Sequence, residues 1–272
     1  MSIGYRITAS TGLDRGDREY QQDQVCLLQH SRETGCLLGV IADGMGGRSG
    51  GRKASDQVML TAKQLFERYH SDSDSARDFL TQVASEAHVV IKLTAAAAEQ
   101  EPHSTIAAFL LNPKGDCHWV HSGDSRLYHF RGNELVYRTR DHSFVQSLVD
   151  KGELTEEQAQ NDRRSNLLLH CLGTEQEPEL ALHNVEKMQP GDCLLACSDG
   201  LWHYFSSEEL AVTINSLPAR EASELLLNQA KQRANGTGDN ISLIVVKFEP
   251  LTENLPNQKQ KRPNPFADMT QP

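Results

Sequence analysis

The residues of this chain that could do chemistry are aspartates beside turn formers. Asp43 stands in Ala-Asp-Gly-Met-Gly-Gly, Asp124 in Ser-Gly-Asp-Ser-Arg, Asp199 in Cys-Ser-Asp-Gly-Leu and Asp239 in Thr-Gly-Asp-Asn-Ile. A fifth, Asp23, follows Gln21-Gln22 and precedes the apolar Val25–Leu28. Grouped carboxylates with no cysteine or histidine partner are hard oxygen donors, suited to magnesium or manganese and not to zinc. Several such charges in one cleft repel strongly unless cations lie between them. Taken singly, each Asp-Gly or Asp-Asn is an ordinary turn residue that satisfies its own backbone. The information lies in the ordered series. Gly44, behind Asp43, leaves the main-chain carbonyl free to approach a ligand.

These aspartates need rigid elements behind them. Asp43 ends the continuous apolar run Cys36–Ala42, which reads as a buried strand. Asp124 and Asp199 follow strand candidates at Cys117–Ser122 and Asp192–Ser198, and Asp239 precedes one at Asn240–Lys247. Each carboxylate is therefore expected where a strand gives way to a loop. Further strands are expected at Ile106–Leu111, Arg126–Phe130 and Glu134–Arg138, with hairpin punctuation at Asn112-Pro-Lys-Gly-Asp116 and Arg131-Gly-Asn133. Ala54, Val58, Ala62, Leu65, Phe66 and Tyr69 share one helical face. Phe79, Leu80, Val83, Ala84, Ala87, Val90 and Ile91 share another. Ser207–Ser216 and Arg220–Ala234 also read as helical. Strands and helices do not alternate strictly, which argues against a doubly wound parallel sheet and for antiparallel sheet covered by helices.

The 272 residues suffice for a large core without disulfides or a structural metal. Lys and Arg number 27 against 37 Asp and Glu, a net charge of -10 that disfavours nucleic acid and anionic membranes as partners. No apolar run approaches the roughly 18 residues of a spanning helix, and the first residues lack a signal-peptide apolar region. Cys26, Cys36, Cys117, Cys171, Cys193 and Cys197 lack zinc spacing and are expected as reduced, packed residues of a cytoplasmic protein. Cys193 and Cys197 should share a strand face. After Phe248 the chain turns polar and Pro-rich. The expected organisation is a body over residues 1–249 and a flexible tail over 250–272.

Read in order, the segments resemble the protein phosphatase 2C family of metal-dependent Ser/Thr phosphatases. The pattern runs from Arg18-Glu-Tyr-Gln-Gln-Asp23 through Val40-Ile-Ala-Asp-Gly-Met-Gly-Gly47, Ala54-Ser55 and Ser104-Thr105. It continues with Ser122-Gly-Asp-Ser-Arg-Leu-Tyr128, Thr139-Arg-Asp-His-Ser143, Leu172-Gly173 and Gly191-Asp192. Leu195-Ala-Cys-Ser-Asp-Gly-Leu201 and Gly238-Asp-Asn-Ile241 close it. The resemblance covers residues 3–248.

It implies an α+β fold: a four-layer α-β-β-α sandwich, two central antiparallel sheets flanked by helices. It implies two manganese or magnesium ions at one end of the sandwich, with a third as an option. Asp43 should bridge both, the Gly44 carbonyl should complete one shell, and Asp199 and Asp239 should bind the other ion. Asp23 should act through a metal-bound water, Asp124 with Asp199 should offer the weaker third site, and Arg18 should grip the substrate phosphate. Asp43, Asp199 and Asp239 are the catalytic set. The activity implied is hydrolysis of phosphoserine and phosphothreonine in proteins by a metal-bridging hydroxide, opposing a Ser/Thr kinase. The contrasting reading is an inactive, phosphatase-fold regulatory module, which the full carboxylate set disfavours. A monomer is the expectation, since no stripe reads as a dedicated interface.

Four departures from the family pattern carry their own expectations. Met45 stands where some relatives have a histidine that protonates the leaving group, so here a water or another group must serve. Gln21 replaces the usual Asn, and its extra methylene should loosen a backbone contact. Gln22 replaces an acid and removes a charge near the metals. His103 replaces the usual glycine before Ser104-Thr105 and would be strained at positive φ. The segment Ser147–His170 matches the mobile flap of bacterial members, with Arg163 and Arg164 displaced from the usual arginine position.

Overall fold

The structure, a computed structural model, describes residues 4–98 and 101–251. The chain begins with β1 (Tyr5–Asp14), β2 (Gln24–Gln29), β3 (Leu37–Ala42) and the short β4 (Gly44–Met45). Two long helices follow, α1 (Gly47–Phe66) and α2 (Ala76–Ala98). Next come β5 (His103–Ser104), β6 (Ile106–Leu111), β7 (Cys117–Ser122), β8 (Arg126–Arg131) and β9 (Glu134–Arg138). Then come α3 (Phe144–Asp150) and α4 (Glu156–Gln160), the latter within the segment expected as the flap, and β10 (Ala181–Val185) and β11 (Asp192–Cys197) lead on to α5 (Asp199–Trp202). The described chain closes with α6 (Ser207–Ser216), α7 (Ala219–Ala234) and β12 (Ile241–Pro250).

Two five-stranded antiparallel sheets face each other, in the orders β1-β12-β11-β8-β9 and β10-β7-β6-β3-β2. Strand alternation sorts the apolar residues into three layers. On β3, Leu38 and Val40 point outward against α1 and α2, joining Val58, Ala62, Leu80, Val83 and Ala87. Ile41 of the same strand points inward, with Phe109, Trp119, Leu127, Leu194, Ile244 and Phe248 between the sheets. Leu195, Cys193 and Cys197 point the other way, against Leu210, Ile214 and Leu226 of α6 and α7. A strand covered on both faces is apolar at every position. That is why β6, Ile-Ala-Ala-Phe-Leu-Leu, is buried throughout. The four layers match the expected fold, and Cys193 and Cys197 share a face.

The strand and helix expectations hold to within a few residues, and the six cysteines are unpaired. Three differences have physical causes. β1 and β10 are sheet-edge or peripheral strands whose mixed burial breaks the alternation that marks a strand in sequence. α1 ends at Phe66, so Tyr69 reaches the core from the following turn, its ring tilted against Phe79 at 4.8 Å between ring centres. β12 runs through Pro250, paired to Tyr5, so the ordered body extends one residue past the expected boundary. Residues 252–272, the bulk of the expected tail, lie outside the described residues. Among the described residues no helix is long and apolar enough to cross a membrane.

Candidate active site

Antiparallel register brings the aspartates to one end of the sandwich. Gln24 pairs with Ala42, so Asp23 before β2 and Asp43 after β3 lie at the same sheet end. Cys197 pairs with both Arg126 and Leu243, which sets Asp199 after β11 beside Asp124 before β8 and Asp239 before β12. Residues distant in sequence thus meet because alternating strand ends fall on one edge.

Hydrogen bonds fix each loop. The Asp43 backbone N–H donates to Thr105 Oγ1 at 3.0 Å, and the Thr105 N–H returns to the Asp43 carbonyl at 2.9 Å. Thr105 Oγ1 also meets Ser125 Oγ at 2.7 Å, so the Ser-Thr motif joins the Asp43 and Asp124 loops. Trp202 Nε1 donates to the Asp124 carbonyl at 2.9 Å. The Arg126 guanidinium lies 3.5 Å over the Trp202 ring and grips Asp141 through two bonds of 2.8 and 2.7 Å. Trp202 therefore packs beneath the loop. His142, left without a role by the sequence, accepts from the Gly123 N–H at 3.4 Å and stacks on His121. Burial depresses its imidazole to about 3, so it stays the neutral acceptor that this bond requires.

Gly44 lies where the main chain doubles back on α1. A Cβ there would run into the Gly51 carbonyl oxygen, and a Cβ on Gly51 would run into that of Gly44. The Gly44 carbonyl therefore packs toward the first turns of α1. The departures behave differently from expectation. His103 is not among the residues at positive φ, so it carries no such strain and simply pairs with Met45 across the short β4–β5 ladder. Gln21 keeps its contacts: Nε2 donates to the Asp14 carbonyl at 2.8 Å and Oε1 accepts the Asp23 N–H at 2.9 Å. Gln22 donates to the Gly47 carbonyl at 2.7 Å, a bond that the usual acid could not make.

The electrostatics are those of crowded acid. Burial, reinforced by Asp23, Asp199 and Asp124, drives the Asp43 carboxyl well above the usual range. Burial with Asp124 and Asp239 does the same to Asp199. Burial is also the main cause that lifts Asp23 to about 6 and Asp124 to about 7. Asp23 Oδ2 and Asp199 Oδ1 are buried without hydrogen-bond partners. Orphaned carboxylate oxygens at a site with raised carboxyl pKa values fit a place built for hard cations. No three His, Cys, Asp or Glu side chains among the described residues close on one point as a finished cage. Asp239 instead leans on Arg18, whose Nη2 lies 2.5 Å from Oδ2. The expected phosphate grip and an expected metal ligand thus hold one another. Both side chains are substantially exposed, so the pair is weak, worth about 0–1 kcal/mol.

Phe144 N–H donates to the Leu167 carbonyl at 2.8 Å and Leu169 N–H to that of His142 at 2.8 Å. A cavity of about 330 Å³ separates α3 and α4 from the α5–α6 region, lined in part by Arg126, Gln146, Gln160, Trp202 and Phe205. Arg164 bonds to Asp162 and reaches over the Phe144 ring. Sequence reasoning did not assign roles to Thr105 or Asn240. The signal for Thr105 and Asn240 was present in the Ser-Thr and Gly-Asp-Asn motifs, but only the fold reveals their partners.

The protein phosphatase 2C family model matches residues 15–235. The chain is similar to the serine/threonine protein phosphatase PstP of Mycobacterium tuberculosis, 33% identical over 253 residues that cover 90% of this chain and 45% of that protein. It is also similar to the serine/threonine phosphatase stp of Listeria welshimeri, 28% identical over 84% of this chain and 94% of the relative. The chain spans about half the length of the mycobacterial relatives and most of the Listeria one. Among solved structures, that of M. tuberculosis PstP superposes with a TM-score of 0.77 at 29% identity, covering 89% of this chain and 99% of that one. A structure of the PstP catalytic domain in complex with two manganese ions superposes with a TM-score of 0.75 at 29% identity, covering 89% and 98%. With the family pattern matched across most of its length and its four-layer sandwich shared with these structures, the chain belongs to the protein phosphatase 2C family.

Proposed function

We propose that the chain is a metal-dependent phosphatase that hydrolyses phosphoserine and phosphothreonine in proteins. The observation that carries this reading is the cluster of five aspartates at one sandwich end, with their orphaned oxygens, beside an exposed arginine. Asp43, Asp199 and Asp239, with the Gly44 carbonyl, are the residues that would hold two manganese or magnesium ions. Asp23 stands behind them, and Asp124 with Asp199 offers a third position. When bound, such cations supply positive charge and an acidified water for attack on phosphorus.

The chain's own groups do the rest. Arg18 surrenders its weak bond to Asp239 and takes phosphate oxygens through its planar fork of donors. Thr105 and Trp202 hold the Asp43 and Asp124 loops still as charge moves. Met45 cannot donate a proton, so a water or another group must protonate the leaving alkoxide. The reading as an inactive binding module draws no support, since Asp43, Asp199 and Asp239 are all present.

Phosphorylated Ser/Thr proteins are the partner class, and a Ser/Thr kinase the enzyme opposed. A cytoplasmic location accords with six unpaired cysteines. Neither nucleic acid nor membrane suits the acidic chain. It acts as a monomer, with a catalytic body that runs to the end of β12 at Pro250. The test is phosphate release from a phosphothreonine peptide in manganese, in magnesium and in excess chelator, with Asp199→Asn alongside. Turnover that needs both metal and Asp199 is the expected result. Turnover indifferent to chelator overturns the metal reading.

A further inference from the structure

Asn240 follows Asp239 and is buried, with 4% of its surface exposed. Its Oδ1 accepts the Gln22 N–H at 2.7 Å. Its Nδ2 donates to the Arg15 carbonyl at 2.8 Å and to the Tyr20 carbonyl at 3.0 Å. Those three main-chain groups span the loop that carries Arg18 and delivers Asp23 into β2. The Asn240 N–H meanwhile donates to Asp239 Oδ1 at 2.8 Å. One carboxamide thus ties both ends of the arginine loop to the strand start that bears Asp239.

A second clasp lies alongside. Gly238 N–H donates to Asp17 Oδ2 at 2.7 Å, and Asp17 N–H donates to the Gly238 carbonyl at 3.2 Å. Gly16, at φ 60°, lies flat on the Asp239 carbonyl, where any Cβ would strike the oxygen. Two donors and an acceptor on one short planar group are what three such contacts need. An aspartate here would lose both donors and set a charge against two carbonyls.

We propose that Asn240 is a positioning residue for phosphate capture: it holds the Arg15–Gln22 loop so that the Arg18 guanidinium stays over the carboxylate cluster. This rests on the reading of Arg18 as the phosphate grip. Misplacing a binding group by about 1 Å can cost on the order of a hundredfold in rate. Loss of the carboxamide should therefore register in substrate capture.

The experiment is a double-mutant cycle in the full chain: wild type, Asn240→Ala, Arg18→Ala and the double variant. Each is assayed with a phosphothreonine peptide. Binding of inorganic phosphate to the manganese-loaded chain is followed by ³¹P NMR, and manganese affinity by calorimetry. Asn240→Ala should raise KM and the phosphate Kd about tenfold, with kcat within about twofold and manganese affinity unchanged. In the Arg18→Ala background it should add nothing, because the two act through one interaction. Full additivity, or an unchanged KM and phosphate Kd in Asn240→Ala, overturns the proposal. Should Asn240→Ala fail to fold, Asp17→Ala removes the acceptor of the Gly238 N–H, opens the second clasp and carries the same cycle under the same criteria. A wild type that binds phosphate but releases none from the peptide sinks the phosphatase reading alone, and phosphate affinity still judges Asn240. An Arg18→Ala variant unaltered in both readouts sinks the Asn240 proposal as well.

Discussion

Asp199 and Arg18 show how two residues of one site differ in what they should lose. Asp199 is a ligand candidate surrounded by like charge, so Asp199→Asn removes repulsion as well as a ligand. The variant should fold at least as well as wild type while turnover falls by about three orders of magnitude, toward the level of a site without its electrostatic stabilisation. A steady-state assay beside a thermal melt checks both halves. Arg18→Ala should raise KM about tenfold and leave manganese affinity intact, because its exposed pair with Asp239 contributes little to the fold. Titration gives a further test. Asp23 and Asp124 have folded-state values of about 6 and 7, above the ordinary aspartate value of 3.8. Between those limits the folded chain binds more protons than the unfolded chain, so stability falls as pH rises. Metal-free protein should therefore melt several degrees higher at pH 5 than at pH 7.5. Saturating manganese should erase that difference by compensating the same charges.

At the scale of elements, helices and flap separate stability from function. Leu80 of α2 is fully buried against α1 and the β6 layer. Leu80→Ala should cost about 2–5 kcal/mol, read by chemical denaturation, with kcat unchanged in the protein that remains folded. The flap helix α4 starts at a capping box in which Thr155 accepts from Gln158 and Gln158 reaches back to Thr155. Thr155→Ala should loosen this helix by about 1 kcal/mol. Hydrogen exchange should rise over residues 156–160 while the sandwich strands keep their protection. The flap is joined to the body through few direct bonds, such as Gln160 to the His203 carbonyl at 3.3 Å, so its loosening should stay local.

For the whole molecule, two sheets and two helical layers tie down the loops of the site, and among the described residues no closed metal cage forms. The fold ties the Asp43 and Asp124 loops to the buried partners Thr105, Ser125 and Trp202. Metal should therefore act as a stabiliser of the native chain. Manganese at about a hundred times its dissociation constant should add about 2.7 kcal/mol to unfolding free energy, and chelator should remove it. A melt that does not respond to manganese would argue that the carboxylates serve another end.

The five aspartates, the apolar runs and the two helical faces were legible in sequence because each is a local signal. A strand's period, a turn's residue type and an ordered motif series need no knowledge of distant partners. They sufficed for the layers, the family and the candidate site. The edge strand β1 was not legible, since half-exposed strands do not alternate cleanly. His103 and Gln21 were misread because strain and looseness depend on backbone angles and partners that spacing does not carry. The Arg18–Asp239 pair and the grip of Asn240 on Arg15, Tyr20 and Gln22 were beyond any local signal. These contacts join residues separated by more than 200 positions, and only the antiparallel closure of β12 against β1 brings them within reach.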